Sequence, residues 1–290
     1  MIQAAVLFII DDNVDLSKVC GNYFINLLKS YFGRKRMTMK NRYFPFVSEN
    51  VADSNKGTIL FCFHHAGGTA TTYRPWTLKS NDSVLIMCVE LPGKGTRRTE
   101  RMAVDFNEIL PELSLQIADV SCGRKIVLYG HSMGAAMAFY TAHYLWNQLD
   151  RKCEKIIVAG RQAPDQENPY EFKTYMNDDA LIEELVRYNA TPKEVLENKE
   201  LLNFILPGLR QDYILNESLV YHGEVLDIPI VAHAGSQDYE ANAEIMNLWK
   251  HMTTNIFQLN LFEGSHFFVT DLGNRYRDIV IQEAINKRED

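Results

Sequence analysis

The chain has 290 residues, of which 46% are hydrophobic and 23% are charged. This composition is typical of a folded globular protein with room for a large core, and it excludes a disordered chain. The net charge of -7 and the pI of about 5.7 disfavour nucleic acid as a partner. The apolar run at residues 4–10 is short and leads into Asp11 and Asp12, so we expect neither a membrane span nor a signal peptide.

The cysteines indicate an intracellular protein without a disulfide framework. They are odd in number and scattered, and no two form a CxxC pair. This pattern also argues against a zinc site, so we expect free thiols in a reducing cytoplasm and no metal or other cofactor. The five positions are Cys20, Cys62, Cys88, Cys122 and Cys153.

Residues 1–40 differ from the rest of the chain. The segment Asn22–Phe32 has helical apolar spacing, and a basic cluster follows at residues 34–40. No motif that carries chemistry lies there. We therefore expect residues 1–40 to be an N-terminal extension, either disordered or a docked helix, and residues 41–290 to form the main domain.

From Thr58 onward, short apolar runs alternate with helical patterns. Near-continuous apolar runs of this length are typical of strands buried on both faces. Their alternation with helices predicts an α/β fold with a mostly parallel sheet flanked by helices. The predicted strands are Thr58–Phe63, Val84–Glu90, Lys125–Tyr129, Lys155–Ala159, Pro229–Ala234 and Ile256–Phe262. The predicted helices between and after them are Phe106–Asp119, Gly134–Leu149, Ala241–His251 and Arg275–Lys287.

One segment interrupts this alternation. Residues 171–222 contain helical patterns but no convincing strand. An all-helical insertion between two strands favours a lid over the pocket of such a fold.

The motif Gly130-His131-Ser132-Met133-Gly134 is a G-x-S-x-G sequence between a predicted strand and a predicted helix. In that context it predicts the tight turn of a serine hydrolase of the α/β-hydrolase type, with Ser132 as the nucleophile. The backbone N–H of Met133, at the start of the helix, would stabilise an oxyanion. The alternative is a plain strand–helix turn with a capping serine.

A serine nucleophile needs a base, and His266 has the expected position after the last predicted strand. The alternatives are weaker. His233 lies inside a predicted strand, His251 lies on a predicted helix, and His131 should point away from the serine beside it.

The acid should follow the strand before the last one, which favours Asp238. Asp212, in the predicted lid, is the alternative acid. A second oxyanion donor is expected from the loop after the first strand, where Gly67 and Gly68 allow a close backbone approach. The N–H of Ala66 is the candidate, and a tight turn that needs only glycine is the alternative.

Together these pieces resemble the type II thioesterases that accompany nonribosomal peptide and polyketide synthases. The resemblance extends over roughly residues 43–285. It departs from the family at His64, where proline is usual, at Ser265, where glycine is usual, and in the first 38 residues, which have no counterpart. The matching stretches are residues 61–68, Tyr73 with Trp76, residues 90–100, Gly130–Ala135, Ala163-Pro164, residues 206–213 and Gly264–Phe268.

The resemblance implies a thioester hydrolase that removes acyl groups from the phosphopantetheine arms of carrier proteins. Acyl or peptidyl carrier protein domains would be its partners, with no nucleic acid and no membrane, and we expect a monomer. A cytosolic carboxylesterase or an acyltransferase using the same triad is an alternative, because the fold alone does not separate these reactions. A non-catalytic binding protein would require a lost triad member, and none is missing from the sequence.

Overall fold

The computed structural model describes residues 42–46, 57–77, 83–167, 173–188 and 191–286. The predicted extension, residues 1–40, lies outside the described residues. The elements described below belong to one unit, Tyr43–Asp290.

The described residues contain one six-stranded sheet in the order β2-β1-β3-β4-β5-β6, and every neighbouring pair is parallel. The strands are β1 (Thr58–Phe63), β2 (Val84–Cys88), β3 (Lys125–His131), β4 (Lys155–Ala159), β5 (Ile230–Gly235) and β6 (Phe257–Phe262). The predicted mostly parallel sheet is therefore confirmed. Because all strands run in the same direction, the loops at their carboxyl ends meet at one edge of the sheet.

Some helices cover the two faces of the sheet, and others form an insertion between two strands. They are α1 (Arg74–Thr77), α2 (Phe106–Ser121), α3 (Met133–Leu149), α4 (Asp178–Tyr188), α5 (Lys193–Leu196), α6 (Lys199–Glu217), α7 (Ala243–Met246), α8 (Phe268–Asp271) and α9 (Gly273–Ile285). Short 3₁₀ turns lie at Ala70–Tyr73, Gly95–Arg97 and Asn247–Met252.

Alternate residues of the central strands supply two separate apolar cores. In β1, Phe61 and Phe63 join the core beneath α2 and α3, whereas Cys62 joins the core beneath α1 and α9. Strand β3 alternates in the same way, with Leu128 on the first side and Tyr129 on the second. This period of two follows from the pleat of a strand, and both faces are apolar because both are covered.

Two sequence predictions differ from the structure. The apolar run of strand β6 predicts burial on both faces, but among the described strands it pairs with β5 alone, and Leu261 is 61% exposed. The predicted helix Ala241–His251 is instead α7 followed by the 3₁₀ turn Asn247–Met252. Asn242 caps α7 through two backbone N–H groups, and Trp249 is fully buried in the tighter turn, with its indole N–H donating to the Arg161 carbonyl.

The helices α4, α5 and α6 follow β4 and precede β5, and they have a small apolar cluster of their own. Leu181 of α4 packs there with Leu206 and Leu209 of α6, and Ala66 of the loop after β1 contacts the same cluster. The insertion is thereby joined to the carboxyl edge of the sheet. Among the described residues, no helix combines the length and apolar character that crossing a bilayer would require.

Candidate active site

Ser132 lies at a sharp turn between β3 and α3. Its backbone has φ 54° and ψ −123°, a conformation that L residues rarely adopt and that stores strain. The turn requires glycine on both sides, because a Cβ on Gly130 would lie 2.0 Å from the Gly134 carbonyl oxygen and a Cβ on Gly134 would lie 2.2 Å from that of Phe63. The serine is thus raised from the sheet edge at the first turn of α3.

His266 and Asp238 come together on the loops after β6 and β5. The imidazole Nδ1 lies 2.9 Å from Asp238 Oδ2, and both side chains are almost completely buried. The other carboxylate oxygen of Asp238 accepts hydrogen bonds from the backbone N–H groups of Glu240 and Ala241 at 3.1 and 3.2 Å. These bonds fix the carboxylate and orient the imidazole, leaving Nε2 for the cavity that Ser132 also lines.

Two further rings fix His266. Tyr188, at the end of α4, packs on the imidazole with ring centroids 4.5 Å apart and donates to Glu240 at 2.5 Å. His131 contacts the backbone of the same loop, because its Nε2 lies 2.9 Å from the His266 carbonyl oxygen. Burial lowers the pKa of His131 well below its ordinary value. Since a carbonyl oxygen only accepts, Nε2 is the donor in this hydrogen bond. His131 therefore supports the loop that carries His266.

The loop after β1 is fixed by a hydrogen bond to Asp212 of the helical insertion. The backbone N–H of Gly67 donates to Asp212 Oδ2 at 2.6 Å, and the Lys94 ammonium donates to the same oxygen at 2.5 Å. Burial raises the pKa of Asp212, and the nearby Lys94 opposes that shift. Asp212, the alternative acid from the sequence, thus contacts Gly67 and Lys94, whereas Asp238 contacts His266. Since the Gly67 N–H is already bonded to Asp212, it is not available to a ligand, and Ala66 stays the candidate donor of this loop.

Two cavities meet at Ser132. The larger measures about 810 Å³, and apolar side chains of the insertion, including Leu185, Phe204 and Leu209, line it with Lys94. A smaller cavity of about 30 Å³ is lined by Ser132, His266, Ala66 and Met133, among others. Ser132, His266 and both oxyanion candidates therefore line one small cavity, and Asp238 adjoins it through its contact with His266.

The sequence did not single out the roles of Lys94, Tyr188 or Glu240. Lys94 lies within residues 90–100, a stretch that only the family resemblance singles out. Its hydrogen bond to Asp212 joins residues 118 positions apart in the chain. Tyr188 and Glu240 meet across 52 positions, and no local pattern reports that contact. Among the residues described, no cluster of three or more His, Cys, Asp or Glu side chains is arranged to hold a metal ion.

Comparison with known proteins identifies the family. The thioesterase domain family matches residues 58–285. The chain is 34% identical to LgrE of Brevibacillus parabrevis, named a linear gramicidin dehydrogenase, over 73% of this chain and 81% of the relative. It is 30% identical to the thioesterase PikA5 of Streptomyces venezuelae, over 75% and 77% of the two chains. The solved type II thioesterase BorB, from the borrelidin biosynthetic cluster, superposes with a TM-score of 0.69 at 28% identity, over 79% of this chain and 94% of BorB.

The parallel sheet with its flanking helices is that of the α/β-hydrolase fold. Within that fold, the chain belongs to the thioesterase domain family and is a thioester hydrolase. Its homologues are type II thioesterases of nonribosomal peptide and polyketide pathways.

Proposed function

We propose that this chain hydrolyses acyl groups from the phosphopantetheine arms of carrier proteins, as an editing enzyme of nonribosomal peptide or polyketide synthesis. The observation that carries the proposal is the 2.9 Å contact between His266 Nδ1 and Asp238 Oδ2 beside the strained turn of Ser132. Membership of the thioesterase family supplies the reaction class.

In this proposal Ser132, His266 and Asp238 form a catalytic triad. Nε2 of His266 accepts the proton of Ser132 as its Oγ attacks the thioester carbonyl carbon. The carbon–sulfur bond then breaks, the pantetheine thiol leaves with the proton from His266, and an acyl-serine remains. Asp238 keeps the imidazole in the tautomer with the proton on Nδ1 and stabilises the imidazolium that forms transiently.

The negative charge on the thioester oxygen needs donors that are already in position. The backbone N–H groups of Met133 and Ala66 are the two candidates, and both residues line the small cavity beside Ser132. Met133 is the first residue of α3, so its N–H has no partner within the helix. Ala66 depends on the loop that Asp212 holds through Gly67.

The larger cavity suits the acyl chain and the end of the pantetheine arm. Its volume of about 810 Å³ is in the range of small-molecule sites, and its apolar side chains come largely from α4 and α6. We propose that this insertion, residues 171–222, is the lid. We further propose a monomer acting in the cytoplasm, since one chain supplies all three reacting groups and Cys62, Cys88, Cys122 and Cys153 are free thiols.

The test uses carrier proteins loaded with a panel of acyl groups, followed by intact-protein mass spectrometry. The wild-type enzyme should remove the acyl mass and leave the free pantetheine thiol. Ser132→Ala should lower the rate by about 10⁴-fold or more without a change in melting temperature. Ser265→Ala, a second serine of the larger cavity, is the matched control and should retain most activity. A Ser132→Ala enzyme with a tenth of wild-type activity would remove this serine from the mechanism.

A further inference from the structure

A third cavity shares part of its lining with the small cavity at Ser132 and none with the larger cavity. It measures about 430 Å³. Arg161, Gln162 and Asn216 line both this cavity and the small cavity of about 30 Å³ that contains Ser132 and His266. These three residues are therefore the wall between the reacting groups and the third cavity, which we call the rear cavity.

The wall is polar. The Arg161 guanidinium donates to Asn216 Oδ1 at 2.7 Å, and this bond joins the loop after β4 to helix α6. The backbone of Arg161 is fixed independently, because the Trp249 indole N–H donates to its carbonyl oxygen at 2.7 Å. Gln162 adds a half-buried side-chain amide. Side chains of this kind can offer the two to four hydrogen-bonding partners that an ordered water needs.

The rear cavity reaches the protein surface. Its outer wall includes Glu167, which is exposed, and Tyr175, which is 84% exposed. Water from the solvent can therefore reach the wall formed by Arg161, Gln162 and Asn216 from this side. The larger cavity has a mixed lining, in which apolar side chains such as Leu185, Phe204 and Leu209 lie beside polar ones such as Lys94 and Thr270.

We propose that the rear cavity supplies the water that hydrolyses the acyl-serine, and that Gln162 and Asn216 position this water. The proposal rests on the function proposed above. While the acyl chain occupies the larger cavity, it hinders the approach of water from that side. A thiol that returned by that route would re-form the thioester. A separate polar route lets water reach His266 without competing with either group.

The step balances in the usual way for an acyl-enzyme. The water oxygen bonds to the acyl carbonyl carbon while its proton passes to Nε2 of His266. The bond between that carbon and Ser132 Oγ then breaks, and the serine takes the proton back from the imidazolium. The carboxylic acid leaves, and Ser132 is ready for another thioester.

The test separates acylation from deacylation with butyryl-N-acetylcysteamine as the thioester. Gln162→Leu fills the wall with an apolar side chain of similar size, and Gln162→Glu keeps its length and polarity. Gln166→Leu is the matched control, since Gln166 lines the rear cavity but not the small one. Asn216→Leu is a second variant at the same wall. Rapid-quench kinetics and intact mass follow the acyl-serine, and added N-acetylcysteamine measures exchange through the larger cavity.

We expect Gln162→Leu to acylate at the wild-type rate but to deacylate about tenfold more slowly, so that acyl-serine accumulates. The ratio of thiol exchange to hydrolysis should rise by about the same factor. Gln162→Glu should deacylate faster than Gln162→Leu, and Gln166→Leu should behave as wild type. Equal loss of acylation and deacylation in Gln162→Leu would indicate general distortion and overturn the proposal. Wild-type partitioning in both leucine variants of the wall would also overturn it. Absence of any acyl-serine and any turnover by the wild-type enzyme, with this thioester and with acyl-loaded carrier proteins alike, would overturn the proposed function itself.

Discussion

Replacing Asp212 with alanine tests whether this buried carboxylate stabilises the fold or acts in catalysis. Asp212 is 2% exposed and accepts hydrogen bonds from Lys94 and from the Gly67 N–H. The substitution leaves the buried Lys94 ammonium without its counter-charge and the Gly67 N–H without its acceptor. Breaking a buried ion pair from one side costs about 3–5 kcal/mol of the free energy of unfolding. For a domain of this size, that loss lowers the melting temperature by roughly 10 °C.

The assay is urea unfolding together with kcat and KM on an acyl carrier protein at a temperature where the variant is folded. Removing both charges, in Lys94→Met with Asp212→Leu, should recover much of the lost stability, because no unpaired charge then remains buried. An Asp212→Ala protein as stable as wild type would refute the reasoning about the pair. A rate loss near 10⁴-fold at full folding would instead move Asp212 into the triad.

Three further expectations follow from the structure. Asp238→Asn should lower kcat by about 10⁴-fold and Asp212→Asn by no more than about tenfold, because only Asp238 contacts the imidazole of His266, and the reverse ranking in steady-state assays would overturn the acid assignment. Burial lowers the pKa of His64 to about 4 and that of His65 to about 3, so between these values and their ordinary 6.5 the unfolded chain binds more protons. The free energy of unfolding should therefore fall as the pH is lowered from 7 toward 4, by up to about 1.4 kcal/mol per pH unit for each ring, and a flat profile in urea titrations would contradict this. A chain that begins at Met39 should match the full-length protein in melting temperature and kcat/KM. A fall of several degrees in melting temperature would indicate that residues 1–38 pack on the domain. A rise in KM alone would indicate that they are a docking element.

The parts of the fold that depend on local pattern were predictable from sequence. The apolar runs predicted the strands correctly because each central strand is covered on both faces. The two glycines around Ser132 predicted the turn because only glycine fits on either side of the serine. The exposure of β6 was not predictable, since it depends on which strand ends the sheet. The contacts of Asp212 were not predictable either, because its hydrogen-bond partner Gly67 lies 145 positions away in the chain.

The pKa shifts and ring contacts that arise from tertiary packing could not be predicted from the sequence either. Nothing in the residues around His131 distinguishes a neutral buried ring from a titrating one, and its state follows from complete burial between other aromatic rings. Likewise, Tyr188 ends an ordinary amphipathic helix in the sequence. Its contact with His266 arises only because the insertion folds back over the sheet edge.

The residues proposed for catalysis and the residues proposed to bind the acyl chain lie in different parts of the sequence. The groups proposed to react lie on three loops of one sheet edge, whereas much of the cavity proposed for the acyl chain is lined by residues of the stretch 178–217. Exchanging this stretch between relatives should therefore change which acyl chains fit while leaving the bond-breaking machinery intact. Asp212 sets a condition on any such chimaera. The donated segment must carry an acceptor at this position, because the loop that contains Ala66 is held through it.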